Sequence, residues 1–420
     1  MNAQISKKNN SSQYLRIIAV VFVILISFFL SSCNEHQNKT SSTASAWIGT
    51  WGTAQQLVEP HNMPPAPGLS SSTLRQVVRV SIGGEKLRMK FSNEYSKKPV
   101  TLESAHIAVS HGGSSIDPDT DMELRFDSKT SVKIEPGSTV TSDPLSFPLK
   151  PRSDVAITIY FGNTSPDVTG HPGSRTTSFL QQGDMVEAVD LPEAARTDHW
   201  YIIDSIEVLA TEPSKAVAVI GDSITDGRGS GTNKQNRWPD ELARRFQEKP
   251  ETYNTAVLNM GIGGNCVLRN CLGSAALTRF ENDVLEQSGV SWLIILEGIN
   301  DIGQAQGEEA AAEVAENLIA AYEQMIDLAH DKGILAYGAT LLPFGGSFYD
   351  GKWRETARKT VNDWIRNSNR FDAVIDLDKT LSDPEAPTHM LPAADTGDHL
   401  HPNETGHRMM AEAVDLELFR

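Results

Sequence analysis

Cysteine is nearly absent from this chain: three in 420 residues, at Cys33, Cys266 and Cys271. No second pair exists to close a cysteine zinc site. Positive charge is also short, with 37 Lys and Arg against 54 Asp and Glu and a formal net charge of −17. That balance argues against nucleic acid and against anionic lipid surfaces as partners. Long apolar runs are missing except for residues 17–30, and that stretch is shorter than the roughly 20 residues a spanning helix needs. Gly227-Arg228-Gly229-Ser230-Gly231 lacks the spacing and the Lys-Ser/Thr ending of a phosphate loop, and reads instead as a flexible rim. No internal repeat or low-complexity tract is visible.

What is present begins with an export pattern. Lys7, Lys8 and Arg16 precede the apolar run, and Leu30-Ser31-Ser32-Cys33 follows it. The arrangement resembles a bacterial lipobox, in which residues 1–33 form a lipoprotein-type signal and Cys33 carries the lipid. An uncleaved anchor is the alternative. Both place the protein in the cell envelope, tethered to a membrane. Residues 34–46, polar and rich in Ser and Thr, read as the tether. Cys266 and Cys271 lie five apart in a loop of an exported chain, so a local disulfide is expected, with free thiols as the alternative.

Residues 47–210 read as an antiparallel β domain of sandwich type. Residues 74–82 and Leu87, Met89 and Phe91 flank Gly83-Gly84, a hairpin signal. Val155, Ile157, Ile159 and Phe161 alternate with small or polar residues, which predicts a half-buried strand. Ile202, Asp204, Ile206 and Val208 alternate more weakly. From about residue 211 to 420 the pattern becomes strand–helix repetition. Apolar runs at 216–220, 256–260, 292–296, 334–339 and 373–377 predict strands of a parallel sheet buried on both faces. Val314, Leu318, Tyr322 and Ile326 predict a helix that Gly333 ends, and further helices are expected at 239–246, 277–286, 355–366 and 405–416. The whole is an α/β/α layering.

Ser223 follows the first of these strands, Gly264 the second and Asn300 the third, while Asp398 and His401 follow the last. In open parallel sheets ligands bind beyond the C-terminal strand ends, so these residues converge on one edge. A serine hydroxyl needs a base to attack an ester carbonyl. His401 can supply it, and Asp398, three residues before, can orient the imidazole. The backbone N–H groups of Ser223 and Gly264 and the amide of Asn300 can hold the developing oxyanion, each donor being worth roughly 3–4 kcal/mol in such sites. Asp222 is read as fixing the turn and Asp301 as holding the Asn300 loop. His399-Leu400-His401 beside Asp398 has no second carboxylate–histidine cluster to complete a metal site, so no metal and no cofactor are expected. Trp238, Trp292, Trp353 and Trp364 read as core. Trp47, Trp51 and Glu59-Pro60-His61-Asn62 are ambiguous between packing and cleft rim.

Gly221-Asp222-Ser223, the Gly264 turn, Gly298-Ile299-Asn300-Asp301 and Asp398-His399-Leu400-His401 resemble the four signature blocks of the SGNH (GDSL) hydrolases. The resemblance covers about 215–420 and implies catalytic Ser223, Asp398 and His401 with an oxyanion hole of Ser223, Gly264 and Asn300. The β domain, opening Trp47-Ile48-Gly49-Thr50-Trp51, looks like the N-terminal part of a two-domain branch associated with carbohydrate acetylesterases. Gly-x-Ser-x-Gly is not met at Ser223, which weighs against an ordinary α/β-hydrolase. The expected function is therefore a serine esterase acting on acylated, above all acetylated, oligo- or polysaccharide. A lipase, lysophospholipase or arylesterase of the same family is one alternative, and a surface glycan-binding protein without catalysis another. The oligomeric state is not readable from the sequence.

Overall fold

The computed structural model describes residues 46–210 and 212–420. The signal, Cys33 and the tether through residue 45 lie outside the described residues.

From Ala46 to Ala210 the alternation of β-branched and aromatic residues with small or polar ones yields two large antiparallel sheets and a small one of Gln56–Leu57, Thr169–His171 and Trp200–Tyr201. One orders Ala46–Gly52, Ile203–Ala210, Gly84–Ser92 and Leu145–Leu149. The other centres on Ser72–Arg79, Asp154–Phe161 and Val100–Gly112. Leu87, Met89 and Phe91 of the first share one core with Leu74, Val78, Ile157 and Ile159 of the second.

Two expectations change here. The strands on either side of Gly83-Gly84 do not form a hairpin; Ser72–Arg79 and Gly84–Ser92 belong to different sheets. Residues between them are claimed elsewhere: Ser81 N–H donates to Thr50 O at 2.9 Å, and Ile82 N–H to Thr50 Oγ1 at 3.0 Å. A Cβ on Gly83 would lie 2.3 Å from Leu149 O, so the glycine lets the chain cross between sheets. The strand Asp154–Phe161 is also more than half buried. Ala156 packs with Ala108 and Ile116 on its second face, and Thr158 accepts from Arg75 Nε at 2.8 Å. The alternation of residue size was visible, but the cover over the second face comes from distant loops.

The second half is a five-stranded parallel sheet, Lys215–Gly221, Thr255–Gly261, Val290–Leu296, Leu335–Ala339 and Ala373–Ile375, in the order 2-1-3-4-5. All residues from Ala216 to Ile220 are fully buried, as strands covered on both faces require. Glu308–Asp331 lays Ala311, Ala315, Leu318, Tyr322, Met325 and Ile326 on the core and ends before Gly333, whose φ is +73°. Between strands two and three, Ala276–Phe280 continues into a π-turn at Glu281–Leu285. Trp238 and Trp292 are core residues, Trp353 and Trp364 pack on its edge, and Trp51 stacks edge-on against Trp200.

The two halves meet through small residues. Gly49 and Gly52 lie against Leu258 and Met260 of the edge strand, and Ala216, Ala256, Leu258, Met260 and Ile262 complete the β-rich core. The described residues thus form one compact unit. No helix among the described residues is long and apolar enough to cross a membrane.

Strand two also abuts the turn that carries Ser223, for a Cβ on Gly261 would lie 2.3 Å from Asp226 N. Backbone cannot yield as a flexible side chain can. Gly261→Ala is therefore expected to cost about 1–3 kcal/mol, read as a lowered midpoint in a thermal melt; an unchanged midpoint contradicts this packing.

Candidate active site

The strand order 2-1-3-4-5 places a topological switch between strands one and three, where outgoing connections diverge and leave a crevice. Ser223, Gly264 and Asn300 all line the cavity there, of about 340 Å³, together with His401.

Strand one stops at Gly221, where a Cβ would lie 2.3 Å from Thr225 Oγ1 and 2.7 Å from Leu296 O. Asp222 caps the four-residue helix Ser223–Asp226, its Oδ1 accepting from Ile224 N–H at 3.0 Å. Gly227, at φ +110°, ends it. Burial, with Asp301 and Asp226 nearby, pushes the Asp222 carboxyl up to about 7 against the Ile224 hydrogen bond. Its part is to hold the turn, as the sequence suggested.

Asp398 Oδ1 accepts from His401 N–H at 2.9 Å, Leu400 N–H at 3.0 Å and Thr396 Oγ1 at 2.9 Å. Its Oδ2 lies 2.7 Å from His401 Nδ1. A ring nitrogen facing a carboxylate carries the hydrogen, which leaves Nε2 as the acceptor. Nε2 stands 2.9 Å from Ser223 Oγ. Burial alone would raise the Asp398 pKa, but the hydrogen bonds from His401 and Leu400 hold it well below the usual carboxylate range. His401 is shifted down: burial lowers it most, Asp398 pulls it back up, and Arg228 and Arg175 lower it further. The neutral imidazole is thereby favoured over the imidazolium.

Three donors face the same cavity. Asn300 Nδ2 gives one hydrogen to Asn265 O at 2.8 Å, and its Oδ1 accepts from Tyr349 OH at 3.0 Å. The second amide hydrogen and the N–H groups of Ser223 and Gly264 have no acceptor among the described residues. Gly264 has φ +71°, and a Cβ there would lie 2.8 Å from Leu272 Cδ1. Cys266 and Cys271 are joined in a disulfide behind it. Asp301 accepts from Val267 N–H at 2.9 Å and Leu268 N–H at 3.1 Å, so it anchors this cysteine loop to the Asn300 turn.

Some residues that shape the site escaped the sequence reading. Tyr349 fixes the Asn300 amide, and no local motif marks it. Arg279, almost wholly buried, donates to Gly221 O at 3.2 Å, Met260 O at 2.7 Å and Asn265 Oδ1 at 3.0 Å, and reaches Asp283 and Glu297. Burial pushes Glu297 up to about 8 although Arg279 pulls it down. From the β-rich half, His171 Nε2 meets Asp226 Oδ1 at 2.9 Å, and Gln56, Glu59, Asn62, Arg175 and His199 line the cavity. Of the ambiguous stretch 59–62, Glu59 and Asn62 thus reach the cleft, whereas His61 is not in its wall. Arg228 of the glycine-rich segment is on the rim, while Gly229 packs against Pro402 O. His399 pairs with Asp395 at 2.6 Å and is half exposed.

Residues 219–409 match the family model described as the GDSL-like lipase/acylhydrolase family. No curated protein matches the chain. Among solved structures, a lipolytic protein of the G-D-S-L family from Desulfitobacterium hafniense is 21% identical over 48% of this chain and 97% of its own, at TM-score 0.37. A member of the same family from Veillonella parvula is 22% identical over 49% and 98%, also at 0.37. A catalytic mutant of Axe2, an acetylxylan esterase from Geobacillus stearothermophilus, is 22% identical over 48% and 93%, again at 0.37. Over residues 219–409 the chain is thus similar to the GDSL-like lipase/acylhydrolase (SGNH) family.

Proposed function

We propose that this chain is an envelope-tethered serine esterase that removes acyl groups, above all acetyl groups, from oligo- or polysaccharide. The observation that carries the chemistry is the 2.9 Å contact between Ser223 Oγ and His401 Nε2, backed by the 2.7 Å contact of Nδ1 with Asp398. Ser223 Oγ attacks the ester carbonyl carbon while its proton passes to Nε2. The oxyanion is held by the N–H groups of Ser223 and Gly264 and by Asn300 Nδ2. Collapse expels the sugar alkoxide, which takes the proton from His401, and leaves an acyl-Ser223 ester. Water, deprotonated by the same imidazole, then attacks the acyl carbon; the bond to Ser223 Oγ breaks, Oγ takes the proton back from His401, and the carboxylic acid leaves.

Support for a carbohydrate alcohol comes from the cleft wall. Gln56, Glu59, Asn62 and His199 give it polar groups, and Phe348, 70% exposed, offers a ring at its edge. The basic head, apolar run and Cys33 support export and lipid tethering.

Ser223→Ala should lower kcat on an aryl acetate by roughly four orders of magnitude or more; native turnover in that variant would contradict the assignment. Wild-type protein that binds acetylated polysaccharide but releases no acetate would instead favour a glycan-binding role. Higher kcat/KM on long-chain than on acetyl esters of one alcohol would favour a lipase.

The downward shift of His401 places the acid limb of the pH–rate profile below the ordinary histidine value of about 6.5. Activity should fall as pH drops through that limb, where the base becomes protonated, and be level above it. A profile flat through the weakly acidic range would reject His401 as base.

Tyr349→Phe removes the hydroxyl that orients Asn300. One hydrogen bond predicts a loss of about threefold to tenfold in kcat with little change in KM; an unaltered kcat would show that Asn300 holds its position without it.

A further inference from the structure

Two guanidinium groups line the cleft, and among the described residues neither has a side-chain hydrogen-bond or ion-pair partner. Arg175 and Arg228 both line the cavity beside Ser223, and both act electrostatically on His401. Among the described residues neither forms an ion pair with a carboxylate, and Arg175 Nε is buried without any partner. The chain has 54 acidic residues for 37 basic ones, so carboxylates are in excess. Arg79, Arg237, Arg279, Arg358 and Arg366 all take one. A buried N–H without an acceptor is costly, and it persists where something else is meant to fill it.

The backbone around Arg175 is built to hold that position. Its φ of +52° is unusual for a residue with a side chain. Its carbonyl accepts from Asn233 N–H at 2.9 Å, and Asn233 Oδ1 accepts from Thr177 N–H at 2.8 Å. Gln235 Nε2 donates to Thr176 Oγ1 at 2.8 Å. The loop is therefore latched to the segment that follows Arg228. Of the carboxylates in the cleft wall, Glu59 is engaged by neighbouring amides and Asp226 through Oδ1, while Asp226 Oδ2 is buried without a partner. Glu59 accepts from Gln56 at 2.5 Å and Asn62 at 3.0 Å, and Asp226 meets His171.

We propose that the cleft selects an anionic carbohydrate ester: a uronate-containing chain whose carboxylate is taken by Arg175 and Arg228 while its acyl group reaches Ser223. This deepens the esterase reading above and rests on it. The planar guanidinium fork matches a carboxylate in two parallel hydrogen bonds. Phe348, its ring 4.3 Å from that of Tyr349 and inclined to it by 53°, adds a ring against which a sugar face can lie. A phosphate is the other anion the fork would accept, but the polar wall of Gln56, Asn62 and His199 suits a hydroxylated ligand better than an acyl chain.

The test compares acetate release by the full chain from acetylated polygalacturonate and from acetylated, uronate-free xylan, in wild type and in R175Q/R228Q. Wild type should favour the acidic polymer, and rising salt should narrow the preference. In the double variant the acidic-to-neutral ratio of kcat/KM should fall about tenfold or more, mainly through KM. Should the variant not fold, inhibition of wild-type aryl acetate hydrolysis supplies the readout. Unacetylated galacturonate oligomers should compete, and neutral xylo-oligomers should compete far less. An equal preference for both polymers in wild type, an unchanged ratio in the variant, equal inhibition, or a preference for a lysophospholipid would each overturn the proposal. In those cases hydrolysis of the aryl acetate leaves the esterase reading standing; its absence in wild type overturns both.

Discussion

One buried cation braces the chain segments on which the site depends. Arg279 bonds the carbonyl of Gly221 just before Ser223, the carbonyl of Met260 at the end of strand two, and the side chain of Asn265 beside Gly264. It also faces Glu297, which precedes the Asn300 turn. Strand ends in an open sheet expose carbonyls that need donors, and a guanidinium with five N–H groups can serve several at once. Burying it is expensive, and the Asp283 carboxylate at 2.8 Å offsets part of that cost. The Ser223 turn, the Gly264 loop and the Asn300 turn are consequently fixed relative to one another, as the preorganisation of the proposed oxyanion site requires.

The second constraint is the seam between the halves. Asp226, in the same short helix as Ser223, is tied to His171 of the β-rich half, and His171 Nδ1 faces Ala54 O at 2.9 Å. Gly173 gives the carboxylate room, since a Cβ there would lie 1.9 Å from Asp226 Oδ2. The β-rich half is thus part of the cleft wall. It supplies Gln56, Glu59, Asn62, Arg175 and His199, while the α/β half supplies Ser223, Gly264, Asn300 and His401. Both halves, which share a core, thus line one cavity.

Local signals carried the reading of the sequence a long way. Continuous apolar runs gave the parallel strands because a strand covered on both faces has no polar alternation to lose. The helix at 308–331 was legible from its i+4 steps and its glycine stop. The juxtaposition of Ser223, Asp398 and His401 was legible because each follows a strand end or precedes the last helix. Residues that act across the fold were not legible. Tyr349 and Arg279 carry no spacing rule, and their partners are set by tertiary packing alone. The Gly83-Gly84 hairpin failed for the same reason: the dipeptide permits a tight turn, but Thr50, far back in sequence, holds residues 81 and 82 and carries the chain into the other sheet.

The central claim is that Ser223 is the covalent nucleophile. The most direct measurement is mass spectrometry of the intact chain and its peptides after exposure to an aryl dialkyl phosphate, an agent that phosphorylates activated serines. A single dialkylphosphoryl mass on the peptide bearing Ser223, gained in step with loss of esterase activity, is the expected result. Full loss of activity with that peptide unmodified, or with the mass on another residue, would contradict the account.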